Sequence, residues 1–382
     1  MGSCHCKSSN DISSIKVIQY PSGCPEKHLN LAEQISKLNV PRTKPEKKTD
    51  AVDSSELKLE QGSFMQTRPT KITIEGQPST TKQSAFQDKL TQITGESSQI
   101  EVLQRLNMWV YCKKGLKPTQ PNQDDFCIVV DGEDFLVGVF DGHGTYGHCV
   151  SDFVHKELPV LFFDHPLWLD NPEKVMKDSF VKCHQNLIKM SCVTESTFDC
   201  NMSGSTATTI YKRDKSLFVA HVGDSRGILG RRTELGYVPI VLNIDHKPEL
   251  LEEQLRIELA GGEIRKQPGN NPSRVYFKGR EYPGLSMTRA IGDLVSQSIG
   301  VICTPQTSEF FLTSADEFLI LCSDGVWEFI SEEEAIRVVS NSGRNPKEAA
   351  SRLAALAWTK WISNEGNVVD DITVIVAYFP DT

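Results

Sequence analysis

The chain has 382 residues, with 41 Lys and Arg against 50 Asp and Glu, a formal net charge of -9 at neutral pH. That balance excludes a general nucleic-acid-binding role, since no basic excess exists to neutralise phosphates, and the acids are spread along the chain and not gathered in a tail. Hydrophobic residues at 38% and charged residues at 24% describe a globular chain long enough for one large domain or two ordinary ones.

In chain order, the opening Met1-Gly2-Ser3-Cys4-His5-Cys6-Lys7 resembles an N-myristoylation signal on Gly2, with Cys4 and Cys6 as palmitoylation sites; Cys6 stands where Ser or Thr is preferred. One acyl chain holds a protein only marginally, so anchoring to a membrane surface would need a second lipid on Cys4 or Cys6. Residues 1–95 are rich in Ser, Thr, Lys, Gln and Glu and poor in aromatics, which predicts a largely disordered arm. Eleven cysteines without a Cys-x-x-Cys pair, and no secretory signal, predict free thiols in the cytoplasm. No apolar run approaches the roughly 20 residues of a membrane span.

The remainder, 96–382, reads as one domain. Strand-like runs occur at Phe126–Val130, Phe135–Phe140, Leu217–Val222, Phe318–Cys322 and Ile372–Tyr378, and Asp131-Gly132 reads as a hairpin turn. Helices are announced by Asn171-Pro172, by Ser331 with Glu334 and by Asn345 with Glu348. Leucines at helical spacing run from Pro248 to a stop at Gly261-Gly262, and Ala350, Leu353, Ala354 and Ala357 mark a buried helix face. A polar, Gly/Pro-rich stretch at about 262–284 predicts a flap. Hairpins mixed with helices predict an α+β fold of antiparallel sheets covered by helices.

The acids sit at strand ends. Asp141 and Asp324 each follow an apolar run and precede a glycine, Asp224 comes just after Leu217–Val222, Asp370 and Asp371 open Ile372–Tyr378, and Asp124 precedes Phe126–Val130. In antiparallel sheets, strand exits lie beside strand entrances, so these acids can gather at one rim. Such a cluster repels itself unless cations neutralise it, and oxygen ligands suit Mg²⁺ or Mn²⁺. Two such ions can share a water, lower its pKa and stabilise in-line attack on phosphorus. His143, in Asp141-Gly142-His143-Gly144, is placed to protonate a departing alkoxide.

These residues resemble a family. Phe140-Asp141-Gly142-His143-Gly144, Ser203-Gly204-Ser205-Thr206-Ala207, Val222-Gly223-Asp224-Ser225-Arg226, Asp245-His246-Lys247-Pro248, Leu285–Asp293, Cys322-Ser323-Asp324-Gly325-Val326-Trp327 and Asp370–Val374 are similar, in order, to the motifs of type 2C metal-dependent serine/threonine protein phosphatases. The resemblance covers roughly residues 105 to 380. It implies two antiparallel sheets packed face to face and flanked by helices, and phosphorylated proteins as substrates. It further implies that Asp141 bridges two metals, that the Gly142 carbonyl serves one, and that Asp324 and Asp370 serve the other. Asp224, with Asp324, would hold a third, weaker metal, and His143 would be the general acid. We also expect a monomer.

Three departures qualify the resemblance. Gln123 replaces a glutamate, Thr119 stands where an arginine usually binds substrate phosphate, and Glu328 stands where an aspartate is frequent. Lys117 or Lys114, or else Lys113, would then meet the phosphate as a point charge. A serine-hydrolase elbow at Gly223–Gly227 is excluded by the extended run after Ser225 and by the lack of any histidine beyond His246. A thiol phosphatase and a Walker-type nucleotide hydrolase lack their motifs. The competing reading is a catalytically weak module that keeps the fold for binding.

Overall fold

The structure, a computed structural model, describes residues 71–76, 88–89, 91–94, 99–193, 196, 198–266 and 272–380. Strands β1 (Lys71–Gly76) and β2 (Thr91–Thr94), helix α1 (Gln99–Arg105) and β3 (Met108–Lys113) precede the hairpin β4 (Asp124–Asp131) and β5 (Asp134–Gly144). Helices α2 (Gly147–Asp164) and α3 (Pro172–Ser191) follow, then β6 (Ser203–Ser205), β7 (Ala207–Arg213), β8 (Ser216–Val222), β9 (Arg226–Thr233) and β10 (Gly236–Val241). Helix α4 (Leu251–Leu259) leads into β11 (Gly262–Lys266), β12 (Ser273–Phe277) and β13 (Pro283–Leu285). The chain continues through β14 (Ile291–Gly292), α5 (Leu294–Gln297), β15 (Gln306–Phe311), β16 (Asp316–Cys322), α6 (Asp324–Trp327), α7 (Glu332–Ser340), α8 (Pro346–Glu365) and β17 (Ile372–Tyr378).

Among the described residues, one sheet runs β15-β8-β7-β5-β4-β1-β2, with β6 and β14 branching from β5, and a second runs β10-β9-β16-β17-β3. The strands with continuous apolar sequence are those buried on both faces. In β4, Phe126, Ile128 and Val130 enter the core between the sheets, whereas Cys127 and Val129 meet the side chains of α2 and α3. In β16, Leu319 and Leu321 face inward, while Phe318, Ile320 and Cys322 pack beneath α7 and α8. Three apolar layers therefore stack as helix, sheet, sheet, helix, as expected for the fold class. The caps form as the sequence predicts: Asn171, Ser331 and Asn345 each accept from the backbone N–H three residues on, at 3.1, 3.2 and 3.1 Å.

One expectation changes and another gains detail. The domain begins before residue 96, because β1 pairs with β4 from Lys71↔Asp131 to Glu75↔Cys127 and β2 pairs with β1. Lys-Ile-Thr-Ile-Glu-Gly carries only two apolar residues and holds its place through the neighbouring strand, which its own composition does not announce. The flap is itself structured, as the three-stranded sheet β11-β12-β13. Gly2, Cys4 and Cys6 lie outside the described residues. No described helix is long and apolar enough to cross a membrane, and the eight described cysteines are free thiols.

Candidate metal centre

The register of the first sheet creates the site. Asp124, first residue of β4, lies directly opposite Asp141 near the end of β5. Asp370 and Asp371 immediately precede β17, and Asp324 follows β16, the neighbour of β17 in the second sheet. The facing sheets thus bring strand exits and entrances to one rim. The charges of Asp324, Asp124, Asp370 and Asp224 all raise the proton affinity of Asp141.

The electrostatics are those of a site short of positive charge. Burial, then the neighbouring acids, push Asp141 well above the usual carboxylate range. Asp324 rises to about 7 through burial and repulsion from Asp224 and Asp370. Asp124 rises to about 8 through burial and the Asp371 charge, although its Oδ2 accepts from Ser323 Oγ and Thr373 Oγ1, both at 2.7 Å. Two lysines offset part of the repulsion: Lys117 pairs with Asp370 and Lys247 with Asp224. Oδ1 of Asp124 and Oδ1 of Asp224 are buried without a hydrogen-bond partner. Buried, unpaired carboxylate oxygens amid mutually repelling acids fit a hard divalent cation.

Gly142 has a local reason. A Cβ there would lie 2.7 Å from Gln123 O and nearer still to Gly147 O, so only glycine lets this backbone pass between β4 and the start of α2. Its N–H donates to Gln123 O at 3.0 Å. Gln123 Nε2 donates to Gly144 O at 2.7 Å, a contact that an ionised glutamate could not make. Asp371 fixes the preceding loop by accepting from Gly115 N at 2.7 Å and Gln123 N at 2.8 Å.

Of the two lysines expected to meet phosphate, Lys117 is in the site, on Asp370. Lys114 Nζ donates to the carbonyls of Gly115 and Lys117, at 3.3 and 3.0 Å. Thr119 and Glu328 are exposed. Ser225 is fully buried, its Oγ 2.9 Å from Thr206 Oγ1, and β9 starts at the next residue, so no nucleophile elbow forms.

His143 has a partner that sequence reasoning missed. Its Nε2 lies 2.6 Å from Oδ2 of buried Asp293, 150 residues away. Burial opposes a charge on the ring, but Asp293 more than offsets it and leaves the His143 pKa raised. Nδ1 has no protein partner. Gly204, on β6, makes the approach possible: a Cβ there would lie 2.7 Å from His143 Nε2 and 2.8 Å from Asp293 Cγ. The signal in the sequence was Gly292-Asp293, a buried acid straight after a glycine within a motif already singled out.

Asp224 is steadied by a histidine pair. His246 Nδ1 accepts from Gly223 N at 3.2 Å and stacks on His221 with centroids 4.2 Å apart. Burial lowers both, His246 to about 2 and His221 to about 4, so the stack stays uncharged at neutral pH.

Among the described residues, the triad whose ligand-type atoms all lie within 4.8 Å of one another is Asp125, Asp152 and His155, and not any three of the acids just described. Lys89 already occupies that second cluster by pairing with Asp125. Among the described residues, the rim acids do not form such a compact triad.

A family model described as protein phosphatase 2C matches residues 122–365. A probable protein phosphatase 2C 64 of Oryza sativa subsp. japonica is 36% identical over 279 residues, which are 70% of this chain and 64% of that protein. A probable protein phosphatase 2C 61 of Arabidopsis thaliana is 36% identical over 251 residues, 64% of this chain and 75% of that one. A serine-threonine phosphatase 2C from Toxoplasma gondii shares the fold with a TM-score of 0.65 at 21% identity, over 82% of this chain and 100% of that chain. The fold and its acidic rim define a phosphatase-type metal enzyme scaffold. The chain belongs to the protein phosphatase 2C family.

Proposed function

We propose that this protein hydrolyses phosphoserine and phosphothreonine esters in proteins, using Mg²⁺ or Mn²⁺ held by Asp141, the Gly142 carbonyl, Asp324 and Asp370, with Asp224 and Asp124 completing the rim. The observation that carries the reading is the convergence of five aspartates from separated chain segments, three of them pushed towards protonation by burial and by neighbouring acids. When bound, two such cations supply an activated water and neutralise charge developing on the phosphoryl group, and Asp224 with Asp324 would suit a third.

The protein's own groups have separable tasks. Asp141, which lies opposite Asp124 and feels the charges of Asp324, Asp370 and Asp224, would be a principal cation ligand. Lys117, which pairs with Asp370 at the edge of the site, would meet the phosphate as a point charge. His143 holds one proton towards Asp293 through Nε2 and so would give up the proton on Nδ1 to the departing alkoxide. The Gln123–Gly144 bond keeps the His143 loop against β4. Substrates are phosphorylated proteins. Acylation at Gly2 with Cys4 or Cys6 would hold a cytoplasmic monomer at a membrane surface; Gly2→Ala should move the protein from the membrane to the soluble fraction, and an unchanged membrane fraction would discard the anchor.

The test is release of phosphate from a phosphothreonine peptide with Mn²⁺, with and without chelator, by the wild type, Asp141→Ala and Asp324→Ala. Loss of activity in both variants and with chelator is expected. Equal background in all three would leave the binding-module reading in its place.

A further inference from the structure

The charge cluster beside the metal centre draws its cation from outside the family match. Asp125 follows Asp124 in β4 and points to the opposite face of the sheet, towards α2. Its carboxylate is fully buried and pairs with Lys89 Nζ, also buried, and with His155 Nδ1 at 3.1 Å. That Nδ1 also lies 3.3 Å from Ser151 O, so both its neighbours are acceptors and the nitrogen carries the hydrogen. Gly76 at the end of β1 closes the pocket: a Cβ there would meet Lys89 Cδ at 3.3 Å and the Asp125 carboxylate more closely still. The pairing with Lys89 and His155 holds Asp125 ionised despite its burial. Lys89 and Gly76 both precede residue 122, where the family match begins.

Two routes run from this cluster to the metal centre. Through Asp125, it fixes the strand position next to Asp124. Through His155, it fixes α2, whose first residue, Gly147, packs against Gly142. The backbone of the same segment adds a third: Lys89 N donates to Cys112 O at 3.1 Å and Asp88 Oδ1 accepts from Lys114 N at 2.9 Å, holding the end of β3 where the Lys117 loop departs. We infer that Lys89 is a positioning residue for the metal centre: its buried pairing with Asp125 and, through it, His155 sets the spacing between β4 and the start of α2 on which divalent-cation binding depends.

This inference rests on the proposed metal site and is tested by binding alone. Mn²⁺ affinity is measured by titration calorimetry on the full chain without substrate, for the wild type, Lys89→Met, Lys89→Arg and Lys89→Met/Asp125→Asn. Supporting groups around a metal site typically govern affinity by about 10- to 100-fold, so Lys89→Met should bind Mn²⁺ at least about tenfold more weakly. Lys89→Arg keeps the pairing and should stay within about threefold of wild type, whereas the double variant lacks it and should bind no more tightly than Lys89→Met, the two substitutions being non-additive. A folded Lys89→Met with wild-type affinity would overturn the inference. If Lys89→Met does not fold, the remaining two variants decide: wild-type-like affinity in Lys89→Arg with about tenfold weaker binding in the double variant supports the inference, and wild-type affinity in the double variant overturns it. A wild-type chain that binds no Mn²⁺ would overturn the metal reading as well, and that outcome is distinct because it appears before any substitution.

Discussion

Gly204→Ala tests the His143–Asp293 pair without touching either member. Gly204 lies in β6 and pairs with His143 of β5, so alanine suits the backbone. The added methyl would sit 2.7 Å from His143 Nε2 and 2.8 Å from Asp293 Cγ, whereas an ordinary carbon contact is about 3.5 Å. His143 and Asp293 must both give way, by about 0.8 Å or more because Asp293 Oδ2 lies nearest of all, and the 2.6 Å hydrogen bond then opens to about 3.4 Å or beyond, where little remains of it. A hydrogen bond to a charged partner contributes about 1.5–3 kcal/mol, equivalent to about 10- to 150-fold in rate if it serves the transition state. The assay compares kcat/KM on a phosphothreonine peptide, whose alkoxide must be protonated, with that on 4-nitrophenyl phosphate, whose phenolate leaves unaided. The peptide should lose about 10- to 150-fold and the aryl ester less than about fivefold, with Mn²⁺ affinity retained. Equal losses on both substrates, or no loss on either, would refute the assignment of proton donation to this pair.

Other predictions follow from the same geometry. In chelator, stability should fall as pH rises from 6.5 to 8. Asp124 and Asp324 have folded pKa values of about 8 and about 7, above their unfolded values, so the folded state binds the extra protons and loses that advantage as pH climbs. The slope should be at most about 1.4 kcal/mol per pH unit for each proton involved, fading as pH passes each folded pKa, and saturating Mn²⁺ should abolish it; a flat profile in chelator by urea denaturation would contradict the cluster. The window lies above the range in which the neutral His221–His246 stack opposes the trend, since its members are depressed from 6.5 to about 4 and about 2. Gly142→Ala should abolish Mn²⁺ binding in calorimetry, because its methyl meets backbone on two sides. Ser331→Ala should cost about 1 kcal/mol of unfolding free energy by loss of the α7 cap, with kcat unchanged.

Much of the architecture was legible because the central strands are buried on both faces. A run such as Phe318–Cys322 has no alternation to misread, and polar or glycine-rich turns bound it. The metal acids were legible for a related reason: an aspartate at the end of an apolar strand stands out against it, and antiparallel pairing fixes where the ends meet, as in Asp124↔Asp141. What lay hidden depends on distant partners. Asp293 became a site residue only when the fold carried it to His143, and Lys89, within the stretch read as a disordered arm, gained a role only when the fold carried it to Asp125. The ammonium group of Lys114 was expected at phosphate and instead ties down its own loop, an outcome settled by backbone geometry and not by residue type. Strand β1 was hidden because its order comes from the neighbour it joins.

That neighbour also sets what a minimal version of the protein must include. A fragment limited to residues 122–365 would lose β1 from the side of β4, and both β17 and β3 from the side of β16. It would carry two raw sheet edges, each belonging to a strand that is apolar front and back, and such edges invite pairing with other chains. The short polar strand before the family match is therefore a guard against aggregation, and soluble expression should depend on starting ahead of residue 71.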